Sequence, residues 1–326
     1  MHQLSLPPRA RRGLRALLNG FSQIVLLSHA GCGLLVVLAI LIGAPQLLGA
    51  AVLGGGCSML TARCRNYPQA DIVAGLYGYN GILLGMLISV QFCWSPLLPL
   101  LIILGAGLSS LILAAWMRCM RERQWLPAFT LPFVALSWLL LWLAQPLQLH
   151  SAAVTAAHGL DWLAILQALL RGLGQVIFLE QPLAGLCLWL GVLLADRRAA
   201  LWALLGSAAG LSLALYQGGE QHSALAGLYG YNPALAAIAL HQVHRQPWAP
   251  LLGICLALLL QPGFGALGLP PLTLPFILAC WLIQASQRVL RQAAVDCSPA
   301  RRACELMNKR QPTAAAIKRS RRRSIR

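Results

Sequence analysis

The sequence predicts an all-α membrane protein, with ten transmembrane helices plus two re-entrant helices in an inverted five-helix repeat around a central pore. Three observations carry that expectation. The 326 residues are 58% hydrophobic and only 10% charged, where soluble domains carry roughly 25% charged residues. Apolar runs of the length a bilayer needs, about 20 residues per span, recur along the chain. The chain also repeats itself: "GLYGYN" stands at Gly75–Asn80 and again at Gly227–Asn232, 152 residues on.

Taken in order, the clearest span cores are Leu34–Ile42, Leu97–Leu113, Phe133–Leu143, Leu183–Leu194 and Leu251–Leu260. Gly and Pro interrupt the others, which spanning helices tolerate when neighbours satisfy the freed backbone groups. The expected spans are 24–43, 46–62, 80–94, 97–116 and 128–145, then 177–195, 199–216, 231–247, 249–267 and 273–290. Segments 68–78 and 220–229 are too short and too polar to span, so each is expected as a re-entrant helix. The first apolar run follows Arg11 and Arg12 as the core of a signal peptide would. It belongs to the duplicated half, however, and cleavage would destroy that half.

The duplication extends well beyond the hexapeptide. "GFSQIVLL" at Gly20–Leu27 meets "GLGQVIFL" at Gly172–Leu179, pairing Gln23 with Gln175, and Gly54 falls on Gly206. "LPAFTLPFVALSW" at Leu126–Trp138 matches "LPPLTLPFILACW" at Leu269–Trp281 with a shift of 143. Repeated Leu and Ala would follow from composition alone; paired Gln, Tyr-Gly-Tyr-Asn and Thr-Leu-Pro-Phe do not.

Charge fixes the expected topology. With the N-terminus inside, the cytoplasmic segments are 1–23, 63–79, 117–127, 196–198, 245–248 and 289–326. They hold every Lys and Arg except Arg171, with Arg288 at the edge of the tail, as the positive-inside rule requires. Five spans is an odd number, so the second half must insert upside down, with a pseudo-two-fold axis in the membrane plane. The expected organisation is a basic cytoplasmic N-terminus (1–19), a first repeat (20–145), an extracytoplasmic linker (146–171), a second repeat (172–290) and a basic, disordered cytoplasmic tail (291–326).

Composition also narrows function. The net charge of +17 gathers at the two ends and reads as a cytoplasmic marker, not a nucleic-acid surface. Ten cysteines show no CxxC spacing; they read as packing residues and free thiols, neither a disulfide framework nor a metal site. "GGGC" at Gly54–Cys57 lacks the strand and Lys of a phosphate loop, and no nucleophile–base pair is visible, so no enzyme and no cofactor is expected. No Asn-x-Ser/Thr sequon occurs, which fits a bacterial inner membrane. The eight acidic residues all fall near span ends or in loops. No charge lies at an expected midplane, where proton relays and ion-coupling sites need one. His29, His222, His241 and His244 read as interfacial or satisfied residues. Passive passage of a small neutral polar solute is favoured over a coupled cycle.

Inversion would bring paired motifs together at the midplane. Tyr79 and Tyr231 would present ring faces to a permeant, each at the end of a re-entrant helix. The proline of "TLPF" would break its helix and free carbonyls around Phe129 and Leu272, beside the hydroxyls of Thr130 and Thr273. A kink satisfied by neighbouring helices is the plainer reading of that motif alone. Gln23 and Gln175 would sit near the starts of spans one and six. Leu26 and Phe178 three residues on would share the same helix face.

Together the paired "GLYGYN", its "GILLG" continuation in the first half, the paired "TLPF" and the paired "GxxQ" resemble the urea transporter family over about residues 15–290. The resemblance implies a homotrimer of ten-span protomers, each passing urea down its gradient through a slot with apolar walls and a ladder of oxygen acceptors. Gln23 and Gln175 match the amides of the two binding sites. Leu26 and Phe178 fall where the family places aromatic slot residues. Tyr79 with Leu83, and Tyr231 with Leu235, match the slot walls, and Thr130 and Thr273 the central constriction. Leu26 departs from the pattern as a non-aromatic, and both tyrosines carry a hydroxyl where Phe is common. "NPA" at Asn232–Ala234 has no partner in the first half and is a coincidence with aquaporins. The competing expectations are a related channel for ammonia, short amides or water, and a membrane scaffold anchoring the basic tail. A scaffold has no need of polar groups matched in both halves.

Overall fold

The computed structural model describes residues 7–144, 161–218, 221–244 and 246–296. The chain divides into two compact units, Met1–Trp281 and Leu282–Arg326; the features that position the site belong to the first. Residues 146–160 of the expected linker and 297–326 of the expected tail lie outside the described residues.

All regular structure among the described residues is helical. The first half contains α1 (Pro8–Gln23), α2 (Ala30–Gly43), α3 (Leu47–Cys64), α4 (Gln69–Val73), α5 (Tyr79–Gln91), α6 (Leu97–Arg123) and α7 (Leu131–Ala144). The second follows helix for helix: α8 (Trp162–Gly174), α9 (Pro182–Ala195), α10 (Arg197–Tyr216), α11 (Gln221–Leu225), α12 (Tyr231–Val243), α13 (Trp248–Ala266) and α14 (Leu274–Asp296). A 3₁₀ turn, Gln175–Ile177, extends α8.

Four helices, α3, α6, α10 and α13, are long and apolar enough to cross a membrane, and α2, α5 and Leu131–Leu143 are shorter apolar helices. On α6 the leucines at 97, 100 and 104 are exposed. An outward apolar surface on a helix this hydrophobic is that of a lipid-facing span. The chain is an all-α membrane protein.

Local chemistry sets the helix starts. The Asp161 carboxylate accepts from Ala164 N at the head of α8, and Asp196 accepts from Arg198 N and Ala199 N at the head of α10. His29 Nδ1 does the same for α2 through Cys32 N. Each satisfies a backbone donor that the first turn leaves unpaired.

The two halves are not separate bodies. Helices α2 and α9 pack directly on one another: a Cβ on Gly191 of α9 would sit 3.2 Å from Cys32 O of α2. Equivalent positions also meet reciprocally across the molecule. Trp138 Nε1 donates to Pro270 O at 2.9 Å, and Trp281 Nε1 donates to Pro127 O at 2.8 Å. Under the 143-residue shift these are the same contact made twice, the signature of two-fold symmetry.

The structure corrects three expectations about elements. Spans 24–43 and 177–195 do not begin as drawn, because the chain breaks after Gln23 and again at Phe178; helices α1 and α8 precede the breaks. The α8–α9 pair is bent by 74° at its break. Among the described residues, the segments expected as re-entrant helices, 68–78 and 220–229, hold only the five-residue helices α4 and α11. The proline of "TLPF" does not break a helix: α7 and α14 begin at this motif, with Pro132 and Pro275 in the first turn, where a missing N–H costs nothing.

Candidate functional site

The site is assembled by tying four breaks in the chain to one another. Gln23 is the last residue of α1, and Gln175 opens the turn after α8. The residues three places on, Leu26 and Phe178, leave the helix with φ of +65° and +59°. The expectation that each glutamine shares a helix face with Leu26 or Phe178 is therefore incorrect: the helical run ends before each of these residues. Gln23 Nε2 donates to Ala74 O at 3.2 Å, and Gln175 Nε2 donates to Ala226 O at 2.9 Å. A carbonyl can only accept, so each amide must present its nitrogen to the backbone, which turns the acceptor Oε1 away from it.

The carbonyls at 74 and 226 belong to the turns that begin "GLYGYN". Gly75 and Gly227 have φ of +82° and +86°, and a Cβ there would lie 2.3 Å from Gly20 N and 2.4 Å from Gly172 N. Only glycine meets both the backbone conformation and the close approach. The tyrosines that follow open α5 and α12.

Their hydroxyls reach a second pair of breaks. Tyr79 Oη donates to Phe129 O at 2.5 Å, and Tyr231 Oη donates to Leu272 O at 2.8 Å. Phe129 and Leu272 have φ of +45° and +44°. The carbonyls expected to be freed by proline are thus held by the tyrosines. The asparagines next in line complete the joint: Asn80 Oδ1 accepts from Phe133 N at 3.2 Å, and Asn232 Oδ1 accepts from Phe276 N at 3.4 Å. They cap α7 and α14 from another helix.

At the centre, Thr130 Oγ1 and Thr273 Oγ1 share a hydrogen bond of 2.8 Å. The two residues are equivalents under the 143-residue shift, so the pseudo-two-fold axis passes between them. A cavity of about 580 Å³ runs to this point on the second-repeat side. Gln175, Phe178, Tyr231, Thr273 and Phe133 are among its lining residues, and every lining side chain is uncharged. The Phe133 and Phe178 rings lie 6.2 Å apart, centroid to centroid, at 53°. Across the axis Phe129 and Phe276 meet edge to face at 5.4 Å.

The family model for urea transporter matches residues 14–288. Urea transporter 1 of Ovis aries is 30% identical over 305 residues, covering 84% of this chain and 77% of the relative. Urea transporter 1 of Rattus norvegicus is 30% identical over 247 residues, covering 69% and 62% respectively. The chain belongs to the urea transporter family. It is an integral membrane transport protein, not an enzyme.

Within this urea transporter, four of the ten residues singled out in the sequence line the cavity: Gln175, Phe178, Tyr231 and Thr273. Thr130 joins them through the hydroxyl contact. Gln23, Leu26 and Tyr79 hold the equivalent positions of the first half and do not border this cavity. Leu83 and Leu235 are fully buried in α5 and α12 and border it on neither side. The pattern missed Phe133, Asn80 and Asn232. All three were repeated in both halves, with Phe276, Asn232 and Asn80 as their partners, and that pairing was the available signal.

Proposed function

We propose that this protein is a facilitative channel through which urea moves down its gradient, by a narrow pore within each protomer. The observation that carries this reading is the uncharged cavity ending at the Thr130–Thr273 hydroxyl pair. Urea is planar, with four N–H donors and one carbonyl oxygen. To cross an apolar slot it must exchange water for acceptors at each step, since an unmade hydrogen bond costs about 1–3 kcal/mol. Neutral amide and hydroxyl oxygens between aromatic walls supply acceptors without binding the solute too tightly to leave. Gln175 and Gln23 provide one amide on each side of the axis, and the threonines provide the hydroxyls between.

In this reading α1–α7 and α8–α14 are the two inverted halves, wider than the expected 20–145 and 172–290 because α1 and α8 belong to them; both termini face the cytoplasm, and protomers assemble as homotrimers. The reading places the protein in a bacterial inner membrane, with which the lack of an Asn-x-Ser/Thr sequon agrees. Leu26, opposite Phe178 by symmetry, makes the first-half slot the less aromatic of the two.

Stopped-flow light scattering of proteoliposomes, comparing urea, acetamide, ammonia and water, tests the proposal. Urea flux is expected to be rapid, saturable only at high concentration and indifferent to proton or sodium gradients. Gln175→Leu or Gln23→Leu should lower it while assembly is unchanged. A requirement for an ion gradient would overturn the channel reading; faster passage of ammonia or water than of urea would favour the related-channel alternative.

A further inference from the structure

The shift that pairs Gln23 with Gln175 also pairs Asn19 with Arg171. Both side chains do one structural task. Asn19 Nδ2 donates to Val73 O at 2.7 Å, and Arg171 Nη1 donates to the equivalent carbonyl, Leu225 O, at 3.2 Å. Each ties the first helix of its repeat to the turn whose next carbonyl receives the glutamine amide. In the first half a neutral amide suffices. In the second half a guanidinium takes its place and adds a full charge.

Among the described residues that charge has no ion-pair partner. The other Arg171 donors go to Glu180 O at 3.0 Å and Gln167 Oε1 at 3.3 Å, both neutral acceptors. Arg171 is half-buried, so solvent screens its field less than that of a free surface cation. One helical turn further on, Gln175 lines a cavity with no charged side chain of its own.

We propose that Arg171 is a charge-selecting residue of the Gln175-side mouth, repelling planar cations of urea's size while neutral amides pass. The inference rests on the reading of this cavity as a urea path. A file of amide, hydroxyl and carbonyl oxygens attracts a cation at least as well as a neutral donor. Guanidinium is planar like urea and has six N–H donors, so shape and acceptor geometry alone do not reject it. A fixed positive charge beside the mouth does. The equivalent place in the first half holds Asn19, so at this position the two halves differ by one charge although each side chain holds the equivalent turn carbonyl.

The test compares guanidinium and urea permeability in the same proteoliposomes at millimolar solute and zero membrane potential, for the parent protein, Arg171→Asn and Arg171→Lys. Arg171→Asn installs the side chain that already does the structural task in the first half. It should raise the guanidinium-to-urea permeability ratio about tenfold, within the range by which local fields change charged-ligand rates. Arg171→Lys should keep the parent ratio. Salt supplies a second measurement on the parent alone, because the screening length falls from about 30 Å at 0.01 M to about 3 Å at 1 M. Exclusion of guanidinium should weaken across that range in the parent and not in Arg171→Asn. An unchanged ratio in Arg171→Asn, or salt-independent exclusion in the parent, overturns the inference while parental urea flux leaves the channel reading standing. Absence of urea flux in the parent overturns both.

Discussion

Phe129 and Leu272 hold a backbone conformation that side-chain-bearing residues rarely adopt, at about 1–3 kcal/mol each. Such strain persists only where the surroundings fix it, and here the fixing groups are the hydroxyls of Tyr79 and Tyr231. The two joints are not equal. Leu272 O has a second donor, Asn232 Nδ2 at 3.0 Å, whereas Phe129 O depends on Tyr79. Tyr→Phe removes only the hydroxyl, so it isolates this term. Tyr231→Phe should cost about 0.5–1.5 kcal/mol, the net worth of an ordinary hydrogen bond, and Tyr79→Phe up to about 3 kcal/mol, because it leaves the half-buried Phe129 carbonyl without this donor. Thermal unfolding of the purified variants in detergent measures the difference; equal losses would show that the second donor at Leu272 does not matter.

At the scale of elements, the connections carry the fold as much as the helices do. Gly75 shows why: Gly75→Ala adds a Cβ 2.3 Å from backbone at a φ of +82°, and neither strain can relax without moving α1. The expected result is a loss of several kcal/mol, the range of severe backbone and packing substitutions, seen as collapse of the folded yield. Gly56 lies within α3 with nothing inside 4 Å of an added Cβ. Gly56→Ala should be neutral or stabilising by up to about 1 kcal/mol, read by the same unfolding assay. Glycine and proline made several boundaries legible in the sequence, including the "GLYG" turns and the starts of α7 and α14. The breaks at Leu26 and Phe178 were not legible, because a positive φ on Leu or Phe leaves no compositional mark. The expected spans 24–43 and 177–195 therefore overrun these breaks, and the expected re-entrant segments 68–78 and 220–229 are longer than the single-turn α4 and α11 they contain.

For the whole molecule, the duplication made corresponding residues legible but not which of them would touch. Thr130 and Thr273 were paired by alignment; that they meet at 2.8 Å follows from where the two-fold axis falls, and Trp138 and Trp281 mark the same axis from outside. The Asn of "GLYGYN" was visible twice, yet its capping of α7 and α14 depends on a tertiary contact that spacing does not encode. Because the hydroxyl pair sits on the axis, it reports coupling between the halves. Thr130→Val and Thr273→Val each strip one partner and leave the other buried without it, costing about 1–3 kcal/mol apiece. The double variant removes both and leaves nothing orphaned, so its loss should fall short of the sum by about 1 kcal/mol, within the range measured for residues in direct contact. Urea flux should run the opposite way. If the permeant exchanges its N–H groups for this hydroxyl bond, the double variant offers no side-chain acceptor at the axis and should be the slowest of the three despite its recovered stability. Strictly additive losses would mean that the hydroxyls do not meet in the folded protein. Fast urea flux through the double variant would remove them from the permeation path.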